Sequence, residues 1–439
     1  ITNIHEDKNN VAPRLGVAYD LMGDGKSVLR GGVGKFFGYM PNILLSNPLT
    51  QISGNFLQGS ITCATATVVP CPTFPGKLSG TEFAALAIAV GTNIVSISPT
   101  YQAQEAWRSS LQFERQLGKG YSAAVGGIYS KMSKVQGSRN INAVKTGTVL
   151  GNVPVYDVVN AGRLYTDMAV VRELCSCEEA SYRALTLETH KRTQTRWTPA
   201  WDLSYTYSKS IDQDTNERST STSFLFDPNN PALSQGPSDN DVPHRFVGNF
   251  MYRLPWGGID VSGIFQFRSG VPYNPGISFT GVSVPGSPTS LNGLSQTSGN
   301  IPIFVDSTGA IVDLTQANGF TRQQFSDFLA AKGAVIIGRN AYRQATWHSV
   351  DLRVSKTFAL KNAPHHMRVQ LIAEGFNLLD TRNQTIGTAN QNLYRATLTN
   401  STGLYTFTSF AGPTGFGVTN GYTGTPDPRQ LQVAVKFLF

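Results

Sequence analysis

The feature that most constrains this chain is a period-two alternation of apolar and polar residues, which recurs in eleven separate segments. Successive side chains of a β-strand point to opposite faces of the sheet, so each segment predicts a strand with one apolar and one polar face. Helices have a period of 3.6 residues and do not produce this pattern. The predicted strands cover residues 12–20, 28–38, 106–117, 121–130, 182–190, 201–208, 245–253, 259–268, 350–358, 367–379 and 429–439.

The last segment, 429–439, shows the alternation clearly. Its apolar positions are Leu431, Val433, Val435, Phe437 and Phe439, and the other face includes Gln and Lys. A tilted strand of this length can cross a bilayer. The same pattern fits a half-buried strand of a soluble sheet, so a single segment does not separate the two structures.

The links between the segments do separate them, because short and long links alternate along the chain. The short links are 22–26, 118–120, 191–196, 255–258 and 361–366, and the long ones are 39–100, 131–181, 211–241, 269–345 and 380–428. Outer-membrane barrels have short periplasmic turns and long extracellular loops, whereas soluble sandwiches have no reason to segregate loops by length. We therefore predict an all-β, antiparallel transmembrane β-barrel with eleven strands in this chain.

Two charged residues, Arg115 and Lys356, interrupt the predicted apolar faces. A charge on the lipid face costs about 2 to 4 kcal/mol at the midplane of the membrane but only about 0 to 1 kcal/mol near its surface. Both residues lie within a few positions of a short turn, where their side chains can reach the headgroups. Their placement supports the predicted strands.

Composition favours strands and excludes other classes of protein. The chain contains 43 Gly, 16 Tyr and 24 Phe among 439 residues, which suits strands and turns. The longest apolar run, 83–90, is far too short for a membrane-spanning helix. The net charge of +8 comes from Lys and Arg scattered singly, so we predict no nucleic-acid partner.

Four cysteines form two close pairs inside predicted loops, Cys63 with Cys71 and Cys175 with Cys177. Short-range pairs suit disulfides in an oxidising compartment such as the periplasm or the cell surface. The alternative at the second pair is a metal site with the adjacent glutamates, although a metal would need further ligands. We predict one or two loop disulfides and no bound metal.

No motif predicts catalysis or a cofactor. Asp212 and Asp214 resemble the start of a calcium loop, but the required glycine and the bidentate glutamate are missing. Asp239, Asp241 and His244 are close in sequence, yet they precede a strand on one loop and form no recognisable triad. We predict that the protein is not an enzyme and binds no cofactor.

Two helices are predicted inside long links. Thr321 precedes Gln324 as in a capping box, and Phe325 and Leu329 share one helical face. A second candidate covers 81–90. Helices inside loops predict folded extracellular lids rather than slack connections.

Several segments together resemble TonB-dependent outer-membrane receptors, in particular the Oar-like subgroup. They are VAPRLGVAYD (11–20), SVLRGG (27–32), YSKSID (207–212), VPHRF (242–246), GRN (338–340), EGFNLL (374–379) and the terminal Phe439. The resemblance covers nearly all predicted strands and little of the loops. It implies a 22-stranded barrel with an N-terminal plug, of which residues 1–439 would be the C-terminal portion of the barrel.

The resemblance also implies partners and a function. The plug and the N-terminal half are absent from this sequence, so contact with TonB would be made only through the missing region. Val435, Phe437 and Phe439 resemble the signal read by the barrel-assembly machinery, and outer-membrane lipid would surround the strands. We expect import of a scarce solute, whether a siderophore, a cofactor, a glycan or a peptide. The alternative is an adhesin or a structural surface barrel.

Overall fold

The computed structural model describes residues 8–38, 76, 79, 81, 92–142, 144–157, 164–165, 168–192, 197–214, 227, 229–280, 300–316, 318–360, 367–382, 386, 392–399, 404–409 and 428–438. Its strands in chain order are β1 (Arg14–Asp20), β2 (Ser27–Phe37), β3 (Thr92–Ile97), β4 (Glu105–Gly118), β5 (Tyr121–Asn140), β6 (Val144–Leu150), β7 (Val153–Asp157), β8 (Met168–Lys191), β9 (Ala200–Asp212), β10 (Gly236–Pro237), β11 (His244–Arg253), β12 (Ile259–Arg268), β13 (Pro272–Tyr273), β14 (Gly276–Thr280), β15 (Asn300–Pro302), β16 (Phe304–Val305), β17 (Val335–Ile336), β18 (Tyr342–Arg343), β19 (Trp347–Ala359), β20 (Arg368–Phe376), β21 (Asn392–Thr399), β22 (Leu404–Ser409) and β23 (Gln430–Leu438). The described helices are α1 (Arg322–Ala331) and a 3-10 helix (Pro231–Ser234).

Eleven strands form the antiparallel body of one large sheet, which we call the main sheet. Their order is β1, β2, β4, β5, β8, β9, β11, β12, β19, β20 and β23, so each strand pairs with its predicted neighbour in sequence. Two additional strands join its rim, since β3 runs parallel to β8 and β10 pairs with β9. The eleven-stranded prediction is confirmed. Within the described ranges, no helix is long and apolar enough to span a membrane.

The tight turns follow from residues that adopt positive φ. Lys119 and Gly120, with φ of 49° and 77°, connect β4 to β5. Gly257 and Gly258, with φ of 73° and 59°, lie in the turn between β11 and β12. Glycine takes such angles at no steric cost, which allows adjacent strands to reverse within a few residues.

The predicted bounds of the loop 131–181 are wrong at both ends, because the flanking strands are longer than predicted. β5 continues past residue 130 to Asn140, and β8 already begins at Met168, so the two strands remain paired beyond the predicted ends. The pairing shifts register between Met132 and Val135 and again before Gly137. Such bulges interrupt the period-two pattern, which is why the sequence did not predict strands here.

Parts of three long links fold together into a unit that we call the cap. It comprises β6 and β7, β14 to β17 with α1, and β21 with β22. Within it, β14 pairs antiparallel with β15 and parallel with β21, although β14 and β21 come from different links. The buried core of the cap consists of Leu150, Val153, Ile277, Ile303, Phe304, Val312, Leu314, Phe320, Phe325, Leu329, Ala334, Ile336, Tyr394, Ala396, Tyr405 and Phe407.

The predicted capping box is present at the start of α1. The Thr321 side chain accepts a hydrogen bond from the Gln324 amide at 3.2 Å, and the Gln324 side chain accepts one from the Thr321 amide at 2.9 Å. Phe325 and Leu329 are both fully buried, as their shared face predicts. The other predicted helix, 81–90, lies outside the described residues except for its first position.

Candidate functional site

Cross-strand pairing sorts the side chains of the main sheet into two faces. The apolar face carries residues such as Val17, Leu111, Leu185, Phe250, Leu352, Leu371 and Val433, and it takes one residue of every two along each strand. On the edge strand β23, Leu431 is 75% and Val433 81% exposed. An apolar surface of this extent marks contact with another apolar phase.

Of the charges on the apolar face, the two that the sequence predicts, Arg115 and Lys356, lie where it placed them. Arg115 pairs with Ser27 at the turn between β1 and β2. Lys356 pairs with Ile259, directly after the turn between β11 and β12. Its ammonium lies 5.0 Å from the ring centroid of Phe358. Both cations therefore lie at the short-turn end of the sheet.

The opposite, polar face carries three ion pairs close to the short turns. The ion pairs there are Arg30 with Glu114 at 2.7 Å, Arg253 with Asp260 at 2.5 Å, and His190 with Asp202 at 2.7 Å. Polar groups and paired charges suit a water-filled interior. Arg368 and Lys436 also lie on the polar face near a short turn, and within the described residues neither forms an ion pair. The charges at this end are therefore only partly balanced.

At the long-loop end, unpaired charge on the described part of the polar face comes from four arginines. Arg14, Arg108, Arg245 and Arg268 all lie there, because each is near the end of its strand that is opposite to the short turn. Within the described part of the chain, none of the four has a carboxylate oxygen within 4.0 Å. The polar face therefore carries four guanidinium groups without a described carboxylate partner at the end where the long loops lie.

Two of these arginines flank an aromatic ring. The guanidinium carbons of Arg14 and Arg108 lie 4.5 and 5.5 Å from the ring centroid of Phe36. Gly34 pairs with both arginines across the sheet, and a Cβ on it would lie 3.2 Å from the Phe36 ring. The missing side chain thus leaves room for the ring. The arrangement offers two cations and an apolar surface to one ligand.

Hydrogen bonds lock the three links of the cap to one another. The Ser326 hydroxyl donates to the carbonyl of Val149 at 2.7 Å, and the Tyr394 hydroxyl donates to the carbonyl of Val312 at 3.2 Å. Next to the cap, the side-chain amide of Gln344 exchanges two hydrogen bonds with the backbone of residue 386. The links therefore behave as one folded body rather than as separate loops.

The cap is anchored to the rim of the main sheet by Arg339, which is only 5% exposed. Its guanidinium forms an ion pair with Asp212 at the end of β9 and donates to the carbonyl oxygens of Ser234 and Asp212 at 3.1 and 3.2 Å. Burial lowers the pKa of Arg339 to about 10, and the nearby Glu178 carboxylate opposes that shift. Arg339 therefore stays charged at neutral pH.

The backbone around this anchor is tightly packed. A Cβ on Gly236 would lie 2.4 Å from the carbonyl oxygen of Arg339, so only glycine fits there. Asn340 donates from its side chain to Pro237 at 2.7 Å and to Asp239 at 2.6 Å. Asp212 and Glu178 belong to the polar series of their strands, so the cap is held from the polar side of the sheet.

Asp239, Asp241 and His244 do not converge on one site. Asp241 forms an ion pair with Arg343, whereas Asp239 binds Asn340. The His244 ring nitrogen Nδ1 lies 2.7 Å from the Tyr205 hydroxyl. Among the described residues, no group of three or more His, Cys, Asp or Glu side chains is arranged to hold a metal ion. Asp212, the start of the calcium-like segment, binds Arg339 instead.

The cysteines and the terminal signal are only partly described. Cys175 and Cys177 are joined by a disulfide, but they lie in β8 and not in a loop, which corrects their predicted location. Val435 and Phe437 are exposed on the apolar face of β23. The other predicted residues, Cys63, Cys71 and Phe439, lie outside the described part of the chain.

An antiparallel sheet with one apolar face, one polar face and loops segregated by length is the wall of a transmembrane β-barrel. The family model for the outer membrane beta barrel domain matches residues 2–432. The chain belongs to the outer membrane beta barrel domain family and is a protein of the bacterial outer membrane.

Solved structures with a similar fold have very different sequences, and no curated protein matches the chain. The outer membrane transporter YddB from Escherichia coli is 10% identical, with a TM-score of 0.48 over 97% of this chain and 40% of that one. The FrpB iron transporter from Neisseria meningitidis is 9% identical, with a TM-score of 0.39 over 98% and 39%. The ferric-catecholate import receptor Fiu from E. coli is 9% identical, with a TM-score of 0.36 over 97% and 34%. The chain spans less than half the length of these structures.

Proposed function

We propose that this chain is the C-terminal portion of the barrel of a TonB-dependent receptor of the Oar-like kind, which binds a bulky solute and imports it. The observation that carries the proposal is the folded cap, which three links build together and which Arg339 holds on the polar side of the sheet. A cap in this position covers the entrance to a polar interior. It can select a solute before the solute enters.

The edges of the main sheet support the view that further strands complete the barrel. β1 and β23 stand at opposite ends of the strand order and pair with one neighbour each within the described residues. A backbone N–H or C=O group without a hydrogen-bond partner costs several kcal/mol of free energy in lipid. Membrane barrels therefore close, so that no strand edge is left unpaired. In a barrel of about 22 strands, about eleven further strands would close the gap between β1 and β23.

The unbalanced arginines support an anionic solute. Arg14 and Arg108 flank Phe36, and Arg268 lies 5.2 Å from the ring centroid of Trp347, all at the long-loop end of the polar face. Arginine binds carboxylate and phosphate groups through paired hydrogen bonds, and its attraction is stronger where water is partly excluded. Carboxylates or phosphates on the solute would supply the negative partners that Arg14, Arg108, Arg245 and Arg268 lack among the described residues.

The test begins with an unbiased search for the solute. Purified full-length protein is mixed with an extract of spent growth medium, and retained small molecules are identified by mass spectrometry. Accumulation of each retained molecule is then measured in cells with and without an uncoupler of the proton gradient. Import predicts accumulation that needs both the protein and the gradient. An adhesin would support attachment of cells to surfaces and give no accumulation.

Replacing Arg14 and Arg108 together by Gln is expected to weaken retention of the solute by about 100-fold or more, because two charge-assisted hydrogen bonds of about 1.5 to 3 kcal/mol each are lost. The matched control is Arg115→Gln, which removes a cation from the apolar face and should leave retention unchanged. Equal retention by the double variant and the wild type would exclude this pair of arginines from the binding site.

A further inference from the structure

Two cations lie directly opposite each other on the apolar face, near the end that carries the long loops. Arg183 of β8 pairs across the sheet with Lys209 of β9, and both residues are exposed. Cβ atoms of such pairs are about 4.5 to 5.5 Å apart, and like charges in this position destabilise a sheet. An anion between them would remove that repulsion.

The height of the pair in the membrane is fixed by the strand that carries it. Arg183 lies eight residues from Lys191, the last residue of β8 at the short-turn end. At a rise of about 3.3 Å per residue and a tilt of about 40°, this separation corresponds to roughly 20 Å along the membrane normal. The apolar band of such a barrel is about 25 Å tall. The pair therefore lies close to the headgroups on the long-loop side.

Other cations at this end of the apolar face are already neutralised. Lys35 lies 2.8 Å from a carboxylate oxygen of Glu105, and Lys131 lies 2.5 Å from one of Glu179. Within the described part of the chain, Arg183 has no carboxylate oxygen within 4.0 Å. The same holds for Lys209, so the pair is a local excess of positive charge.

The surface below the pair suits acyl chains. Tyr129, which pairs with Arg183, is 50% exposed, and Tyr207, two residues from Lys209, is 48% exposed. Leu185 and Leu187 continue the apolar face of β8 towards the short turns and are each 45% exposed. A ligand here meets two cations at one end and an apolar surface along the rest of its length.

We propose that Arg183 and Lys209 bind the phosphate of an anionic lipid in the leaflet on the long-loop side, with the acyl chains against Leu185 and Leu187. The guanidinium can donate two parallel hydrogen bonds to phosphate oxygens, and the ammonium adds a second positive charge. The occupant is a membrane lipid rather than free phosphate, because the site is continuous with the lipid-facing surface. This site does not depend on the solute or on import.

The experiment compares lipids that differ only in the phosphate. Purified full-length protein in neutral detergent is exposed to phosphatidic acid or to diacylglycerol with the same chains, and retained lipid is measured by native mass spectrometry. Wild-type protein should retain phosphatidic acid and not diacylglycerol. The double variant Arg183→Gln with Lys209→Gln should bind phosphatidic acid about 30-fold more weakly. This fold-change is the combined loss of two cations, each of which attracts an anionic headgroup by about the same amount.

Three controls make the result decisive. Lys131→Gln with Glu179→Gln removes a paired cation at the same end and should retain phosphatidic acid like the wild type. Arg183→Lys with Lys209→Arg keeps both charges and should restore most of the binding. Equal losses in the paired-cation control, equal retention of diacylglycerol, or full competition by millimolar inorganic phosphate would each overturn the proposal.

Discussion

Replacing Arg339 by Met is expected to cost about 3 to 5 kcal/mol of folding free energy in the cap and its anchor, because the change leaves buried carboxylates without their cation. Asp212 and Glu178 are 7% and 1% exposed, so water cannot solvate them in place of Arg339. Met fills much of the space of the arginine stem, which separates the loss of charge from the loss of volume. The cap should lose its attachment to the rim of the main sheet at Asp212.

Hydrogen exchange measures this loss directly. Backbone amides of 335–343 and 234–241 should lose protection in Arg339→Met, while those of β19 and β20 in the membrane keep theirs. Arg339→Lys should fall between the two, since it keeps the charge but loses the fork of donors. Lys332→Gln, which removes an exposed cation of the cap, is the matched control. Unchanged protection in Arg339→Met would show that the cap does not depend on this anchor.

Replacing Phe325 by Ala is expected to destabilise the cap by about 3 to 5 kcal/mol through the cavity it creates. The ring is fully buried, and its centroid lies 5.8 Å from that of Phe304, 5.5 Å from that of Phe320 and 5.0 Å from that of Phe407. These partners come from the segment before α1 and from the link that holds β22. A single truncation thus removes contacts that join two links.

The cap and the main sheet should respond separately to this change. The cap core contains none of the apolar-face residues of the main sheet, so strand protection in β11 and β12 should stay at the wild-type level. Exchange in β21 and β22 should rise together with that in α1. Gln323→Ala, on the exposed side of the same helix, should change neither. Loss of protection in β11 and β12 would mean that the cap and the sheet fold as one unit.

The main sheet could be predicted because its signals are local. Alternation in β12 or β23 follows from a strand whose two sides meet different solvents, and Gly257 with Gly258 marks the turn by its conformational freedom. Antiparallel neighbours joined by short turns then follow in chain order. The capping box at Thr321 is also local, so the start of α1 was predicted as well.

Folded lids could be predicted from the helix inside a long link, but the assembly of the cap could not, because its pairings join residues far apart in sequence. Arg339 and Asp212 are separated by 127 residues, and β14 pairs in parallel with β21 from another link. β14 and β21 are short, so their sequences do not predict which strand each one pairs with. The contact between Arg339 and Asp212 has an indirect signal: the segments 207–212 and 338–340 both resemble segments of TonB-dependent receptors, and Arg339 joins them in space.

The central claim is that alternate residues of each main-sheet strand face lipid and water, and β23 offers the most direct measurement. A nitroxide side chain is placed at each position from 431 to 436 in turn, with the native cysteines replaced by Ser, in protein reconstituted into bilayers. We predict that collisions with oxygen, which concentrates in lipid, peak at 431, 433 and 435, and that collisions with a water-soluble nickel chelate peak at 432, 434 and 436. Equal accessibility at all six positions, or a pattern with the opposite phase, would contradict the account.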